Sequence, residues 1–484
     1  MVRVVAQYQF LSARLLPAFQ RCSEGCKKQT MKTIVLSICL LLAVAAKAQQ
    51  EFTQQQFFEV IKAYHPVAKQ AAIQVQIAGA EITAARGAFD PLLQSDISKK
   101  EFGGTQYYNH RLHQVNIPTW FGININAGLE ELSGERTNPV ETKGASSFIG
   151  LSVPLANGLL MDGRRAALQQ ARIYEQASQE ERRIMLNDLL QGAAIAYWNW
   201  WQQHETFQLF TEAYANAAQR FKLIKTAYTI GERPAIDTLE ALTQLQTFRI
   251  QQAGVAQELQ NARLQLSLYL WQQQGQPYDL PQTVVPAAPD GVLLADADQL
   301  ISLHPALQQY NFKIDALRVE RRLKFQYLLP YVTFKYNQLT GSHQLNNAFK
   351  SPLFENNYRY GISMALPLRL SEGRGLYRQA KLKLEAAEWE RVNKQVELEV
   401  KLRQYRNDWT QLLDQVGLQR TAVAQYAGLQ RAEEIKYTNG ESSLFLINSR
   451  EIKTLEARQK LIELQAKQQK AAISIRWAAG VLAN

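Results

Sequence analysis

No proline lies between Pro154 and Pro234, and none follows Pro367. From Arg164 to Ile230 the only glycine is Gly192. Stretches this free of helix breakers predict helices far longer than a globular domain uses. At ~1.5 Å of rise per residue, such a helix reaches on the order of 100 Å. Its apolar spacing says how it packs. Leu398, Leu402, Tyr405, Trp409, Leu412, Val416, Val423 and Tyr426 alternate steps of four and three, with Gln419 as the polar member. Leu186, Leu190, Ala193, Tyr197, Trp200, Phe207, Tyr214, Ala218, Phe221 and Tyr228 keep the same rhythm. A sustained 3.5-residue repeat is the pattern of coiled-coil packing. Trp201, Leu209, Phe210, Leu413 and Ala422 fall off this seam. They permit the second seam that a helix needs to touch two neighbours.

The chain also repeats itself in order. His65-Pro66 recurs as His304-Pro305, and Pro91 as Pro330. Gly163-Arg164 recurs as Gly373-Arg374, and Tyr197-x-Asn199-x-Trp201 as Tyr405-x-Asn407-x-Trp409. Tyr228-x-x-Gly231-Glu232 recurs as Tyr437-x-x-Gly440-Glu441. Each pair is weak alone; five in the same order argue for duplication. The first repeat is expected over 49–274 and the second over 304–484, joined by a proline-rich extended connector at 275–303. The early pairs lie further apart than the later ones, so the first half carries extra residues between Pro91 and Gly150.

Ahead of the repeats, Met31-Lys32, the apolar run Ile34–Ala45 and the Ala46-Lys47-Ala48 site read as a signal peptide over 31–48. Residues 1–30 read as an upstream mis-start or extended n-region, and the mature chain is expected to begin at Gln49. Cys22, Cys26 and Cys39, the three cysteines, all precede it, which excludes disulfides and thiol chemistry from the mature chain. Of the formal +11, residues 1–48 supply +6. The remaining charge is too mild to argue for nucleic acid. No later stretch reaches the ~18 apolar residues of a membrane helix.

Between the long helices the period changes to two. Phe121, Ile123 and Ile125 alternate with polar residues; so do Ile149, Leu151 and Val153; so do Val332, Phe334 and Tyr336. Tyr358, Tyr360, Ile362 and Met364 do the same. A half-buried sheet shows this alternation, and so does a strand with lipid on one face and water on the other. Isolated hairpins between very long helices favour the second reading, with closure by several chains. The weakly alternating 91–131, interrupted by Pro118, reads as one broken outgoing strand. Hairpins are thus expected at about 91–155 and 330–368, with polar loops 132–145 and 341–357 facing out of the cell.

With these features together, the chain resembles the TolC-like outer-membrane efflux proteins. The resemblance rests on Ala196-Tyr197-x-Asn199, its echo at Tyr405-x-Asn407, the two Tyr-x-x-Gly elements and the ordered repeats. It implies a mainly α protein with a β-barrel part: a trimeric, 12-stranded outer-membrane barrel, four strands per protomer, continued by an α-helical periplasmic barrel. It implies a homotrimer in outer-membrane lipid, working with a periplasmic adaptor and an inner-membrane pump in efflux or type I secretion, with no cofactor. Tyr228, Gly231, Glu232, Tyr437, Gly440, Glu441, Ser442 and Ser443 would form the periplasmic tips that meet the adaptor. The family often closes its entrance with aspartates on the second-repeat helices; here Ser443–Ser449 has none. Asp237 and Glu240 of the first repeat, or Phe445 and Leu446, are the candidates for a constriction. A seam role is the other reading of the last two. No catalytic or metal motif is found: the six histidines are scattered, and there is no HExxH or CxxC in the mature chain. A periplasmic helical-hairpin adaptor and a secreted coiled-coil protein are the alternatives.

Overall fold

The computed structural model describes residues 50–138, 140–273, 275–289, 301–349 and 352–483. The expected signal peptide and residues 1–30 lie outside the described residues, as does most of the connector's second half. A small unit holds strand β1 (Gln50–Phe52), which pairs with β6 (Val284–Pro286). The rest of the described chain forms one larger unit.

In the larger unit, α1 (Gln54–Tyr64) and α2 (Pro66–Arg86) precede four strands: β2 (Leu92–Phe102), β3 (Thr105–Pro118), β4 (Asn124–Ser133) and β5 (Gly144–Pro154). Then come α3 (Gly163–Thr229) and α4 (Ala235–Ser267). The second half runs α5 (Pro305–Gln326), β7 (Tyr331–Thr340), β8 (Tyr358–Ala365), α6 (Ser371–Thr438) and α7 (Leu444–Ala478). Each proline-free stretch holds one very long helix, α3 of 67 residues and α6 of 68, and the second stretch also holds α7. Asp162 caps α3 by accepting from the Arg165 N–H at 2.8 Å. Both His-Pro pairs start a helix the same way. His65 Nδ1 accepts from Val67 N–H at 3.2 Å and His304 Nδ1 from Ala306 N–H at 3.1 Å, with proline in the first turn.

α3 packs against α2, α4, α5 and α7, α6 packs on α5 and α7, and α4 touches α7. α3 is therefore an interior helix and needs two seams. The predicted members Leu186, Leu190, Ala193, Tyr197 and Trp200 are buried, and so are the off-seam Ala194, Trp198, Trp201, Leu209 and Phe210. α6 is an edge. Its seam residues Leu398 and Leu402 sit in a cluster with Leu307, Ile475 and Ala478, against which Tyr405 and Trp409 pack. Its other apolar stripe, Leu382, Trp389, Val392, Val396 and Val400, is exposed. Ile73 and Ile77 of α2, and Ile236, Leu239 and Ile250 of α4, are exposed too.

The strands make one antiparallel sheet in the order β2-β3-β4-β5-β7-β8. This corrects the expectation of four strands per chain. Residues 91–131 are not one broken strand but two complete strands and most of a third. Gly103 and Gly104, with φ of +61° and +77°, form the two-residue loop between β2 and β3. Two successive positive φ values make the hairpin turn whose twist matches the strands. Pro118 does not interrupt a strand; it ends β3, where its missing N–H costs nothing. Phe121, expected in a strand, lies in the β3–β4 turn, and Ile123 just precedes β4.

Candidate functional site

Two surfaces carry the features singled out in the sequence: the far end of the long helices and the two faces of the sheet. At the helical end, α3 and α6 stop in the same way. Gly231 and Gly440 both have φ of +80°. In the first turn Glu232 N–H donates to Ala227 O at 2.9 Å and Gly231 N–H to Tyr228 O at 3.0 Å. In the second, Glu441 N–H donates to Lys436 O at 2.9 Å and Gly440 N–H to Tyr437 O at 3.1 Å. This is the glycine C-cap that satisfies the last carbonyls while reversing the chain. Ser443 then caps α7. Both turns are short, so α4 folds back on α3 and α7 on α6.

The residues beneath the turns join in a polar cluster. Arg220 of α3 donates Nη1 to Glu451 Oε2 at 2.7 Å and Nη2 to Oε1 at 3.1 Å. Its Nη1 also donates to Asn448 Oδ1 at 3.1 Å, and Asn448 Nδ2 donates to Glu240 Oε1 at 3.2 Å. The Glu451 side chain is only 6% exposed. Asp237 forms an ion pair with Arg233 at 3.8 Å, and that guanidinium lies 4.6 Å from the Tyr437 ring centre. Burial pushes the Tyr437 hydroxyl pKa up, against the lowering influence of Arg233. Ile224, Ala241 and Leu444 form the apolar floor, with Phe221 and Tyr437 against it. Ser442 Oγ donates to Glu433 Oε1 at 2.6 Å.

Of the predicted tip residues, Tyr228, Glu232 and Glu441 are exposed, Tyr437 and Ser442 half-buried. Asp237 and Glu240 enter the cluster, whereas Phe445 and Leu446 face outward and are exposed. Ser443–Ser449 holds no aspartate, and the buried acid Glu451 lies just beyond that stretch. Arg220, Asn448 and Glu451 were missed. Their one legible signal was a cation and an acid buried within otherwise apolar helix faces, and sequence does not show which face meets which.

On the sheet, cross-strand register gathers the alternating apolar residues. Ile125 pairs with Leu151, Leu151 with Tyr336 and Tyr336 with Tyr360. Val153 pairs with Phe334 and Phe334 with Ile362; Ala127 pairs with Ile149; Val332 pairs with Met364. The predicted strand residues thus share one face, and Tyr358, Tyr360, Ile362 and Met364 are exposed on it. At its loop end Tyr336, Phe354, Tyr358 and Tyr360 form an aromatic group with ring centres 4.5–6.4 Å apart. Toward the helices the other face is polar, and toward the loops it carries Leu132, Phe148 and Leu339. Asn126 Nδ2 donates to Asn337 Oδ1 at 3.0 Å across β5, directly over Gly150. A Cβ there would lie 1.9 Å from Asn337 Oδ1, so only glycine admits the bridge. His110 Nε2 lies 2.9 Å from Glu130 Oε1 on the same face.

The model of the outer membrane efflux protein family matches residues 59–270 and 297–481, most of the chain. The chain is 25% identical over 247 residues to a probable efflux pump outer membrane protein, SepC, of Pseudomonas putida. That match covers 50% of each chain, so the chain spans about half the length of the curated relatives it matches. In fold it is similar to a CusC crystal structure, at TM-score 0.63 and 15% identity, covering 88% of this chain and 91% of that one. It is likewise similar to the Campylobacter jejuni CmeC outer membrane channel, at TM-score 0.61 and 13% identity over 88% and 85% of the two chains. By that match over most of its length, this chain is a member of the outer membrane efflux protein family.

Proposed function

We propose that the chain is the outer-membrane channel subunit of a tripartite efflux pump or type I secretion system, and that it acts as a homotrimer. The observation that carries this is the apolar stripes left exposed on the long helices: Trp389, Val392 and Val396 of α6, Ile73 and Ile77 of α2, and Ile250 of α4. An isolated chain leaves such stripes in water, and a ring of copies buries each against another. The sheet supports the same reading. One face is an apolar band ending in aromatic residues, as lipid and its interface select, and the other is polar in its helix-proximal half, as a water-filled lumen selects. No helix among the described residues is long and apolar enough to cross a membrane; the sheet is the part that would.

In this reading the two glycine turns are the periplasmic tips. Tyr228, Glu232, Glu441, Ser442 and Ser443 meet a periplasmic adaptor there, and an inner-membrane pump supplies the driving force. The cluster of Arg220, Glu240, Asn448 and Glu451 locks neighbouring helices at the entrance, with Asp237 beside it; three copies triple each charge around the pore mouth. The two halves arose by duplication. Export follows a leader at 31–48. The test is single-particle electron microscopy of protein extracted from outer membranes. Threefold end views and a hollow side view over ~100 Å long, as helices of this length require, are expected. Solid single-chain particles would overturn the channel and leave the adaptor or scaffold readings.

A further inference from the structure

Four strands per chain, β4, β5, β7 and β8, would suffice for a 12-stranded barrel, and the β2–β3 hairpin exceeds that need. We propose that this hairpin is barrel wall: β2 of one copy pairs with β8 of the next, and three chains close an 18-stranded barrel. The inference rests on the trimeric channel reading above.

Every residue of β2 and of β8 is exposed, so both edges of the sheet offer free strand groups. Closure is what removes such edges. The sheet is antiparallel throughout and has an even number of strands, so β8 runs opposite to the β2 of a neighbouring copy, as an antiparallel junction requires. A 12-stranded closure would instead need β8 to pair with β4. That edge is taken: β3 pairs with β4 without a break from Asn109↔Ser133 to Pro118↔Asn124.

The faces point the same way. Register places Ile117 beside Ile125, Val115 beside Ala127, and Leu93 beside Val115, so the apolar band continues onto the helix-proximal end of the hairpin, while Lys99, Arg111 and His113 occupy the same side nearer its tip. The reverse face carries Gln94 beside Gln114 and Leu92 beside Asn116, largely polar like the lumen face of β4. A junction that sets Ile362 opposite Leu93 and Tyr358 opposite Ile97 keeps the apolar sides together. In that register Arg359, the one charge on β8, stands opposite Asp96 on the polar face. Barrel diameter grows roughly linearly with strand number, so the lumen would be about half again as wide as a 12-stranded one, in the range where porin-type barrels hold an open aqueous channel. The cargo it admits is correspondingly bulky.

The test is disulfide scanning of the assembled protein in isolated outer membranes. Among the described residues there is no cysteine, so the background is clean. Gly361→Cys, where an added Cβ meets nothing, is combined in turn with Leu92→Cys, Gln94→Cys and Asp96→Cys on β2. A second set combines it with Asn124→Cys or Asn126→Cys on β4. Oxidation is expected to give covalent oligomers with the first set, strongest for Gln94→Cys, and none with the second. Linkage through β4 instead, in a protein of trimeric native mass, would overturn the hairpin's place and leave the channel reading intact. Absence of any trimer would overturn both. The unsubstituted trimer, imaged in lipid, gives an independent count: eighteen strands supports the inference and twelve overturns it.

Discussion

The Arg220–Glu451 pair lends itself to a quantitative test. Glu451 is almost wholly buried and accepts both its charged hydrogen bonds from one guanidinium, which also holds Asn448. Arg220→Met leaves a buried carboxylate without its counter-charge, and removing one partner of a buried pair costs about 3–5 kcal/mol. Replacing both by apolar residues of similar volume is close to neutral, because the desolvation cost of the two charges disappears with their attraction. The loss should be local, since the pair joins α3 to α7 near the tip and touches nothing in the sheet. Hydrogen exchange resolved to peptides spanning 217–224 and 447–455 measures it. At ~1.36 kcal/mol per decade, the lower bound predicts opening roughly a hundredfold more frequent in R220M, with the sheet unchanged. R220M/E451M should recover most of the protection. Unchanged protection in R220M, or a double variant as loose as the sum of both singles, would refute the idea that this pair holds the helices together.

Further expectations follow from other elements. Gly440→Ala meets no atom but must hold φ of +80°, so strain of about 1–2 kcal/mol should appear as faster exchange at that tip alone. Gly150→Val should prevent the Asn126–Asn337 bridge from forming and block a heat-modifiable barrel band on gels, while soluble helix content persists. Burial first, and Lys394 second, lower the His304 pKa from 6.5 to about 4. The folded state therefore resists the proton that the unfolded chain accepts: stability is full above pH 6.5 and falls by about 2–3 kcal/mol as pH drops toward 4. His304→Asn, which keeps a cap acceptor, should flatten that part of a pH-dependent melting curve. Trp389→Glu and Val396→Asp on the exposed stripe of α6 should leave monomer helicity unchanged and abolish the trimer in native mass measurements.

Period and punctuation by themselves determined the helices. Excluding proline across 67 residues leaves the chain few alternatives, and the 3.5-residue rhythm names the side that packs. The tip glycines were equally legible, because a Tyr-x-x-Gly ending two long helices admits one cheap way to turn. Alternation likewise marked Ile149, Leu151, Tyr360 and Ile362 as one face, since a strand has only two. The β2–β3 hairpin escaped this logic. Its strands mix Lys99, Lys100, Glu101, Arg111 and His113 into the alternation, and only the Gly103-Gly104 pair signalled the turn. What tertiary structure alone decided is pairing. A helix's periodicity shows that it has a seam, not which helix fills it, so the second seam of α3, the exposed stripe of α6 and the meeting of Arg220 with Glu451 across 231 residues of chain all awaited the fold. The reason is physical: local geometry is set by neighbours a few residues away, whereas a buried charge is satisfied by whatever partner the packing of distant helices brings within reach.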